Sequence, residues 1–276
     1  MELYQAVILG LIQGLTEFLP VSSSGHLVIF QRIFGLMEPE IFFDICLHVG
    51  TLVAVVVYFR KDLYSIISTL LIKGWKLLKK ETTIASAWQD PDIKMAVFII
   101  IGLVPTGIAG LLIDRIADVL FTSVFITGIM LLVTGTILWP TRRFQEAPLD
   151  VAENTVMKAL LIGLVQGFAV IPGISRSGST IAAGLFLGLD RETAAKFSFL
   201  MSIPAIAGAA VLSLKDIDSL AGISFQIIIP GMLVSCVSGY LALSFLVFIV
   251  NKGRLYAFAP YCWLAGTIAI VSGYFF

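Results

Sequence analysis

Charge is what this chain has least of: Asp, Glu, Lys and Arg make up only 13% of its 276 residues, against roughly 25% in an ordinary soluble domain. A water-facing surface cannot be assembled from so few charges. With 58% hydrophobic residues, the expected solvent for most of the chain is a lipid bilayer. The 18 basic and 18 acidic residues cancel, so there is no basic footprint for nucleic acid and no acidic tail for a basic partner. Cysteine is also sparse. Cys46, Cys236 and Cys262 are odd in number, lack CxxC spacing and sit in apolar stretches, which fits buried thiols better than disulfides or a cysteine zinc site. Residues Met1 to Gln5 lack a basic leader and no small-residue cleavage site follows, so no removable signal peptide is expected.

Long apolar runs are what is present. Phe42 to Phe59, Ile93 to Ile113, Val119 to Trp139, Phe197 to Leu214, Ile223 to Val250 and Tyr256 to Phe276 are each apolar enough to cross, since about 20 helical residues span a hydrocarbon core of ~30 Å. Two further stretches, Leu3 to Phe34 and Lys158 to Leu189, are broken in the middle by PVSSSGH and PGISRSGST. Each reads as helix, turn, helix. Residues 60–92 carry Leu63, Ile66, Ile67, Leu70, Leu71, Trp75 and Leu78 at helical spacing, with Lys73, Lys76 and Lys80 opposite, the pattern of an amphipathic helix lying at the cytoplasmic interface.

The two broken stretches are copies. At a shift of 153 residues, Gly10, Leu11, Gln13, Gly14, Ser22, Ser24 and Gly25 match Gly163, Leu164, Gln166, Gly167, Ser175, Ser177 and Gly178. Identity at breakers and polar positions marks an internal duplication rather than shared greasiness. The fold class expected is therefore an all-α polytopic membrane protein of two inverted-topology repeats, 1–140 and 141–276. Each repeat is a re-entrant helix hairpin followed by three transmembrane helices. The inverted arrangement puts 14 of the 18 Lys and Arg on one face, with only Arg32, Arg115 and Lys215 on the other and Arg176 within the membrane. That asymmetry is the positive-inside signature of a cytoplasmic face.

Paired discontinuous segments bring half-helix ends together near the midplane, where unwound backbone must line a cavity. The first copy contributes Gln13 and Glu17, four apart on one helical face, then Ser22, Ser23, Ser24 and His26; the second contributes Ser175, Arg176, Ser177, Gly178, Ser179 and Thr180. A carboxylate, an imidazole and a guanidinium at membrane depth are each costly and so point to function. Together they suit a phosphate group. Arg supplies a planar fork, hydroxyls and helix N-terminal N–H groups add donors, Glu17 can hold a divalent cation, and His26 can carry a proton. A structural alternative exists, in which Glu17 and Arg176 merely pair and the serines merely satisfy backbone. Asp44 and His48, four apart on one crossing, fit either support for the site or an isolated polar pair. The GxxxG spacings Gly10/Gly14 and Gly163/Gly167 fit close helix packing.

Gln13-Gly-Leu-Thr-Glu17 followed by Pro20-Val-Ser-Ser-Ser-Gly-His26, together with Pro172-Gly-Ile-Ser-Arg-Ser-Gly-Ser-Thr180, resembles the two signature motifs of undecaprenyl-diphosphate phosphatases, also known as bacitracin-resistance proteins. The resemblance covers the whole chain. It implies a plasma-membrane enzyme that hydrolyses a C55 isoprenyl diphosphate to the monophosphate, recycling the lipid carrier of cell-wall synthesis, with a divalent cation such as magnesium or calcium. It implies functional roles for Glu17, Ser23, His26 and Arg176, and places Gln13 where Glu is frequent in the family. Ser22, Ser24, Ser175, Ser177, Gly178 and Thr180 are the further expected substrate contacts. Ser23, His26 and water all remain available as the attacking group. The expected partners are the polyprenyl diphosphate and membrane lipids, without nucleic acid, and a homodimer is compatible with this reading. Transport of a phosphate-bearing lipid is the alternative function, because paired broken helices are also a transporter architecture.

Overall fold

The computed structural model describes residues 1–36, 41–143, 155–213 and 224–275. They form helices only: α1 (Leu3–Phe18), α2 (Ser23–Ile33), α3 (Ile41–Tyr58), α4 (Arg60–Leu78), α5 (Ile84–Ala87), α6 (Pro91–Asp114), α7 (Ala117–Thr122), α8 (Val124–Leu138), α9 (Val156–Phe168), α10 (Arg176–Phe186), α11 (Arg191–Ser213), α12 (Phe225–Asn251) and α13 (Ala259–Phe275), with short 3₁₀ turns before α9 and α13. Lys215 and the ends of three expected crossings, Leu214, Ile223 and Phe276, lie outside the described residues.

Among the described residues five helices are long and apolar enough to cross a membrane, or six if α3 and α4, bent by 75° at their junction, are taken together as one broken span. The expected crossing at Val119 to Trp139 is divided. Ser123 adopts an extended conformation and caps α8 by accepting the Ile126 N–H, so α7 is a separate short helix. The other crossings fall within a few residues of their expected ends, save α11, which begins at Arg191. Its first two turns carry Arg191, Glu192 and Lys196, charges that hid its start from a hydropathy reading.

Both broken stretches fold as helix, turn, helix. At 1.5 Å per residue, the 16 residues of α1 rise about 24 Å and the 13 of α9 about 20 Å, so neither crosses a ~30 Å core. The duplication extends to helix bounds: α10 runs from Arg176 to Phe186, which are Ser23 and Ile33 of α2 moved on by 153.

Helix α4 shows two unlike faces. Ser65 and Thr69 donate to Asp92 at 2.5 and 3.3 Å and Lys73 pairs with Asp90 at 2.7 Å, while Lys196 of α11 reaches Asp62. Tyr64, Ile67, Leu71, Trp75 and Leu78 are exposed along another stripe. A helix tied at one polar face with an uncovered apolar stripe suits the plane of a bilayer interface.

Packing exchanges the two copies. α1 lies on α12 and α9 on α6, while α3 packs on α12 and α11 on α6. The GxxxG glycines make the first pair of contacts possible: a Cβ at Gly10 would overlap the Gly231 carbonyl, and one at Gly163 would overlap that of Gly102. One turn further on, Gly14 meets Ser235 and Ser238 while Gly167 meets Pro105 and Ala109. Residue numbers rise together in both pairs, so the helices run parallel. α8 and α13 run antiparallel, with Gly128 against Gly266 and Gly135 against Ala259. A buried cluster including Phe18, Leu138, Ile181, Phe199 and Leu246 joins both halves beneath the hairpin turns, and Phe18 meets Phe199 edge-on at 5.9 Å between ring centroids.

The added methyl of Gly163→Ala has only backbone to press against, so it should cost about 1–3 kcal/mol, the usual scale of overpacking. Nothing lies within 4 Å of a Cβ at Gly208, so Gly208→Ala should be neutral or stabilising by up to about 1 kcal/mol through backbone entropy. Thermal midpoints in one detergent measure the difference, and equal midpoints for the two variants would contradict this packing.

Candidate active site

A helix broken inside a membrane leaves backbone groups that lipid cannot satisfy. Here side chains of one copy satisfy the other. Ser22 caps α2 with φ of 68°, an uncommon conformation for a residue with a Cβ. Its Oγ accepts the N–H of Gly25 at 3.3 Å and that of Gly173, in the other turn, at 3.0 Å. Thr134 of α8 donates to the Gly173 carbonyl at 2.8 Å and accepts the Ser175 N–H at 3.0 Å. Ser177 donates to the Phe18 carbonyl at 2.7 Å, and the Cys262 thiol to that of Pro20 at 3.3 Å. Ser175 caps α10 through the Gly178 N–H, and Gly178 lies where a Cβ would press on Pro20.

Against this frame sits the carboxylate of Glu17, in the last turn of α1 and only 4% exposed. Its Oε1 pairs with Arg176 Nη2, at the start of α10. Its Oε2 accepts the Ser23 hydroxyl at 2.6 Å, from the start of α2, and Gln13 Nε2 at 2.9 Å. His48 Nε2 stands 3.5 Å from the same oxygen. Ser23 and Arg176 are equivalent positions of the duplicated motif, so one carboxylate gathers the same position from both copies. This buried acid with a hydroxyl on one oxygen and a guanidinium on the other is a nucleophile-and-base geometry beside an anion-binding cation.

Gln13, Glu17, Ser23 and Arg176 are thus brought together as the sequence suggested, and His48 joins them. His48 Nδ1 is held at 2.7 Å by the Asp44 carbonyl, while the Asp44 carboxylate accepts Gln31 Nε2 at 2.7 Å. His48 therefore belongs to the site, and Asp44 stands behind it through its backbone. His26 faces elsewhere: its Nδ1 lies 2.8 Å from the Ser22 carbonyl and its Nε2 2.7 Å from the Tyr261 hydroxyl. Nothing in the sequence marked Tyr261, one aromatic residue at the start of an apolar run. The hydroxyls of Ser22, Ser175, Ser177 and Thr180 are committed to backbone, Thr180 donating to the Arg176 carbonyl at 2.7 Å, and Ser24 lies 3.4 Å from Ser22 between hydroxyls. Both components of the structural alternative, the ion pair and the backbone-capping serines, are present alongside the Ser23–Glu17 contact.

The fit for a divalent cation rests on oxygen donors. Among the described residues no three His, Cys, Asp or Glu side chains form a metal-binding group, and both Glu17 oxygens are engaged. Gln13 Oε1, however, is fully buried with no partner. One carboxylate and one amide oxygen do not make an all-protein cage, but they suit a cation that takes most of its ligands from phosphate and water, as Mg²⁺ does.

Fold and site define a class: a helical, polytopic membrane protein in which two broken hairpins close on one acid–guanidinium pair. Within that class the chain belongs to the family described as bacitracin resistance protein BacA, whose model matches residues 6–268. It is 50% identical to the undecaprenyl-diphosphatase of Desulforapulum autotrophicum, with 99% of each chain covered. It is also 50% identical to that of Desulfosudis oleivorans, again over 99% of each. The undecaprenyl-diphosphatase of Methanobrevibacter smithii is 40% identical over 99% of this chain and 98% of its own.

Removing the guanidinium strands a buried carboxylate. Arg176→Ala should lower stability by about 3–5 kcal/mol, the scale of a broken buried pair, and Glu17→Gln in the same chain should restore much of the loss. Thermal midpoints of the single and double variants measure this, and a wild-type midpoint for Arg176→Ala would refute the pairing.

Proposed function

We propose that this chain hydrolyses undecaprenyl diphosphate to undecaprenyl phosphate and inorganic phosphate in the bacterial cell membrane, recycling the lipid carrier of cell-wall synthesis and thereby conferring bacitracin resistance. The observation that carries the reading is Glu17, whose two oxygens hold Ser23 and Arg176. The names of the full-length relatives support the substrate.

The diphosphate enters where Glu17 and Arg176 now neutralise each other, and Arg176 turns its fork to phosphate oxygens. Ser23, already donating to Glu17, attacks the terminal phosphorus as its proton passes to Glu17 Oε2. The anhydride P–O bond breaks, undecaprenyl phosphate leaves with its charge met by Arg176 and the α10 N-terminus, and water then attacks the phosphoserine as Glu17 returns its proton to Ser23 Oγ, so that inorganic phosphate leaves with the oxygen and protons of that water. Glu17 and Gln13 Oε1 would hold a divalent cation, magnesium or calcium, which would supply further charge neutralisation. Positioning and electrostatics carry most of such a reaction. An apolar groove between α3 and α12, lined by Ala54, Val57, Val237, Tyr240 and Leu241, offers the prenyl chain a place.

Purified protein in detergent should release phosphate from farnesyl diphosphate, a shorter substitute, and lose that activity to a chelator. Glu17→Gln should cut turnover at least ~100-fold. Arg176→Lys, which keeps charge but loses the fork, should cut it roughly 10- to 1,000-fold. Detergent leaves no two sides to transport between, so an inactive wild-type protein would favour lipid transport instead.

The inverted arrangement of the repeats belongs to the same proposal. It is supported by the exchanged contacts of α1 on α12 and α9 on α6, and by antiparallel α8 and α13. With the three native cysteines replaced by serine, Ile33→Cys and Thr155→Cys should react with impermeant label from opposite membrane faces. Labelling from one face would overturn inversion.

A further inference from the structure

His48 takes no part in the proposed reaction, yet its ring is built into the centre. Its helix is pinned on both sides of it: Ser235 of α12 donates to the Leu47 carbonyl at 2.8 Å, and a Cβ at Gly50 would overlap the Met232 carbonyl. The ring is fixed as well. Its Nδ1 lies 2.7 Å from the Asp44 carbonyl, which can only accept, so Nδ1 bears the hydrogen and the lone pair of the neutral ring is on Nε2. That lone pair faces Glu17 Oε2 at 3.5 Å. An acceptor directed at a carboxylate oxygen gains nothing without a positive centre between them. The gap is wide for a charge-assisted hydrogen bond of about 2.7–2.9 Å. It matches two ligand atoms of one metal ion, which at bonds of about 2.1 Å stand roughly 3.0–3.5 Å apart.

Gln13 completes a set of three. Its amide nitrogen is 2.9 Å from the same carboxylate oxygen, and its Oε1 is buried without a partner. A half-turn of the amide brings Oε1 toward Glu17 Oε2 and leaves one amide atom unpaired, as before. Glu17 meanwhile keeps Arg176 on Oε1 and Ser23 on Oε2, which leaves the second lone pair of Oε2 for the ion. In the other copy, 153 residues on, Val170 and Met201 stand in place of Glu17 and His48, so Gln166 has no such company.

We propose that His48 Nε2, Glu17 Oε2 and Gln13 Oε1 together ligate the cation, and that the nitrogen makes this a site for a first-row divalent transition ion such as Mn²⁺ in preference to magnesium or calcium. Magnesium and calcium bind through oxygen, whereas affinity for a site containing nitrogen rises from Mn²⁺ toward Cu²⁺. A ligating imidazole ordinarily donates its other N–H to a carbonyl or carboxylate, the contact that Asp44 provides. Three protein ligands leave the remaining positions to water and to phosphate oxygens. The inference rests on the cation of the proposed phosphatase reading and narrows its chemical class.

The probe is Mn²⁺ alone, added to the purified protein in detergent and followed by electron paramagnetic resonance. Spin-echo modulation should show a ¹⁴N nucleus coupled to the bound ion, and ¹⁵N-histidine labelling should replace that signal with one from ¹⁵N. The chain has two histidines, so His26→Gln should keep the coupling and His48→Gln should lose it. His48→Gln should also weaken Mn²⁺ binding at least about 10-fold. Mg²⁺ should displace Mn²⁺ from the wild-type protein only at an excess of about 10-fold or more, an excess that narrows in His48→Gln. Bound Mn²⁺ without nitrogen coupling, a coupling that survives His48→Gln, displacement by an equal concentration of Mg²⁺, or no bound Mn²⁺ at all would overturn the assignment. The labelled wild-type protein decides the ligand even where the variant fails to fold. None of these signals needs turnover. A protein that releases phosphate but lacks the nitrogen coupling overturns only this inference, and one that shows the coupling but releases no phosphate overturns only the phosphatase reading.

Discussion

A carboxylate taken out of water needs a partner, and in this chain that need ties the two halves together. Glu17 ends α1 in the first copy of the motif and Arg176 begins α10 in the second. Their pairing fixes the distance between two half-helix ends, and everything polar in the site is arranged about it. Ser23 and Gln13 fill the other carboxylate oxygen, while Ser22, Thr134, Ser177 and Cys262 hold the broken backbone around it. The pair is a poor source of stability in itself, because desolvation offsets most of its attraction. In the proposed reaction the pair is an anion site closed on its own carboxylate, which a more highly charged anion opens.

Duplication supplied the frame, and divergence supplied the chemistry. Ser23 and Arg176 occupy equivalent positions, as do His26 and Ser179, and Glu17 and Val170. Two copies of one broken hairpin thus contribute a hydroxyl, a guanidinium and a single carboxylate to one centre, to which His48 of α3 adds an imidazole. Gln13 and Gln166 remain alike in both copies, and each buries an amide oxygen without a partner. Only the first lies beside a carboxylate, which is why a cation can be argued there and not at Gln166.

Close approach of α1 to α12 and of α9 to α6 is the mechanical condition for this meeting. Between lipid-bathed helices there is little hydrophobic drive, and packing of small residues takes its place. The four motif glycines bring backbone onto backbone, which sets the depth at which each hairpin turns. The turn depth in turn decides that Phe18, next to Glu17, meets Phe199 beneath the site.

The sequence by itself determined the membrane class, most of the helical spans to within a few residues, the duplication, and the membership of Gln13, Glu17, Ser23 and Arg176 in one polar site. These are properties of composition, period and local pattern, because hydrophobicity over about 20 residues and breakers such as Pro20 and Gly173 act on their own stretch of chain. Tertiary structure decided which way each polar side chain faces. His26 turns to Tyr261, 235 positions away, and His48 turns to Glu17 from a different helix. The serines around Ser23 spend their hydroxyls on backbone, a choice set by where the opposite turn leaves N–H and C=O groups unpaired. Local sequence specifies that such groups exist at a break; only the packing of the second copy against the first specifies which side chain satisfies them.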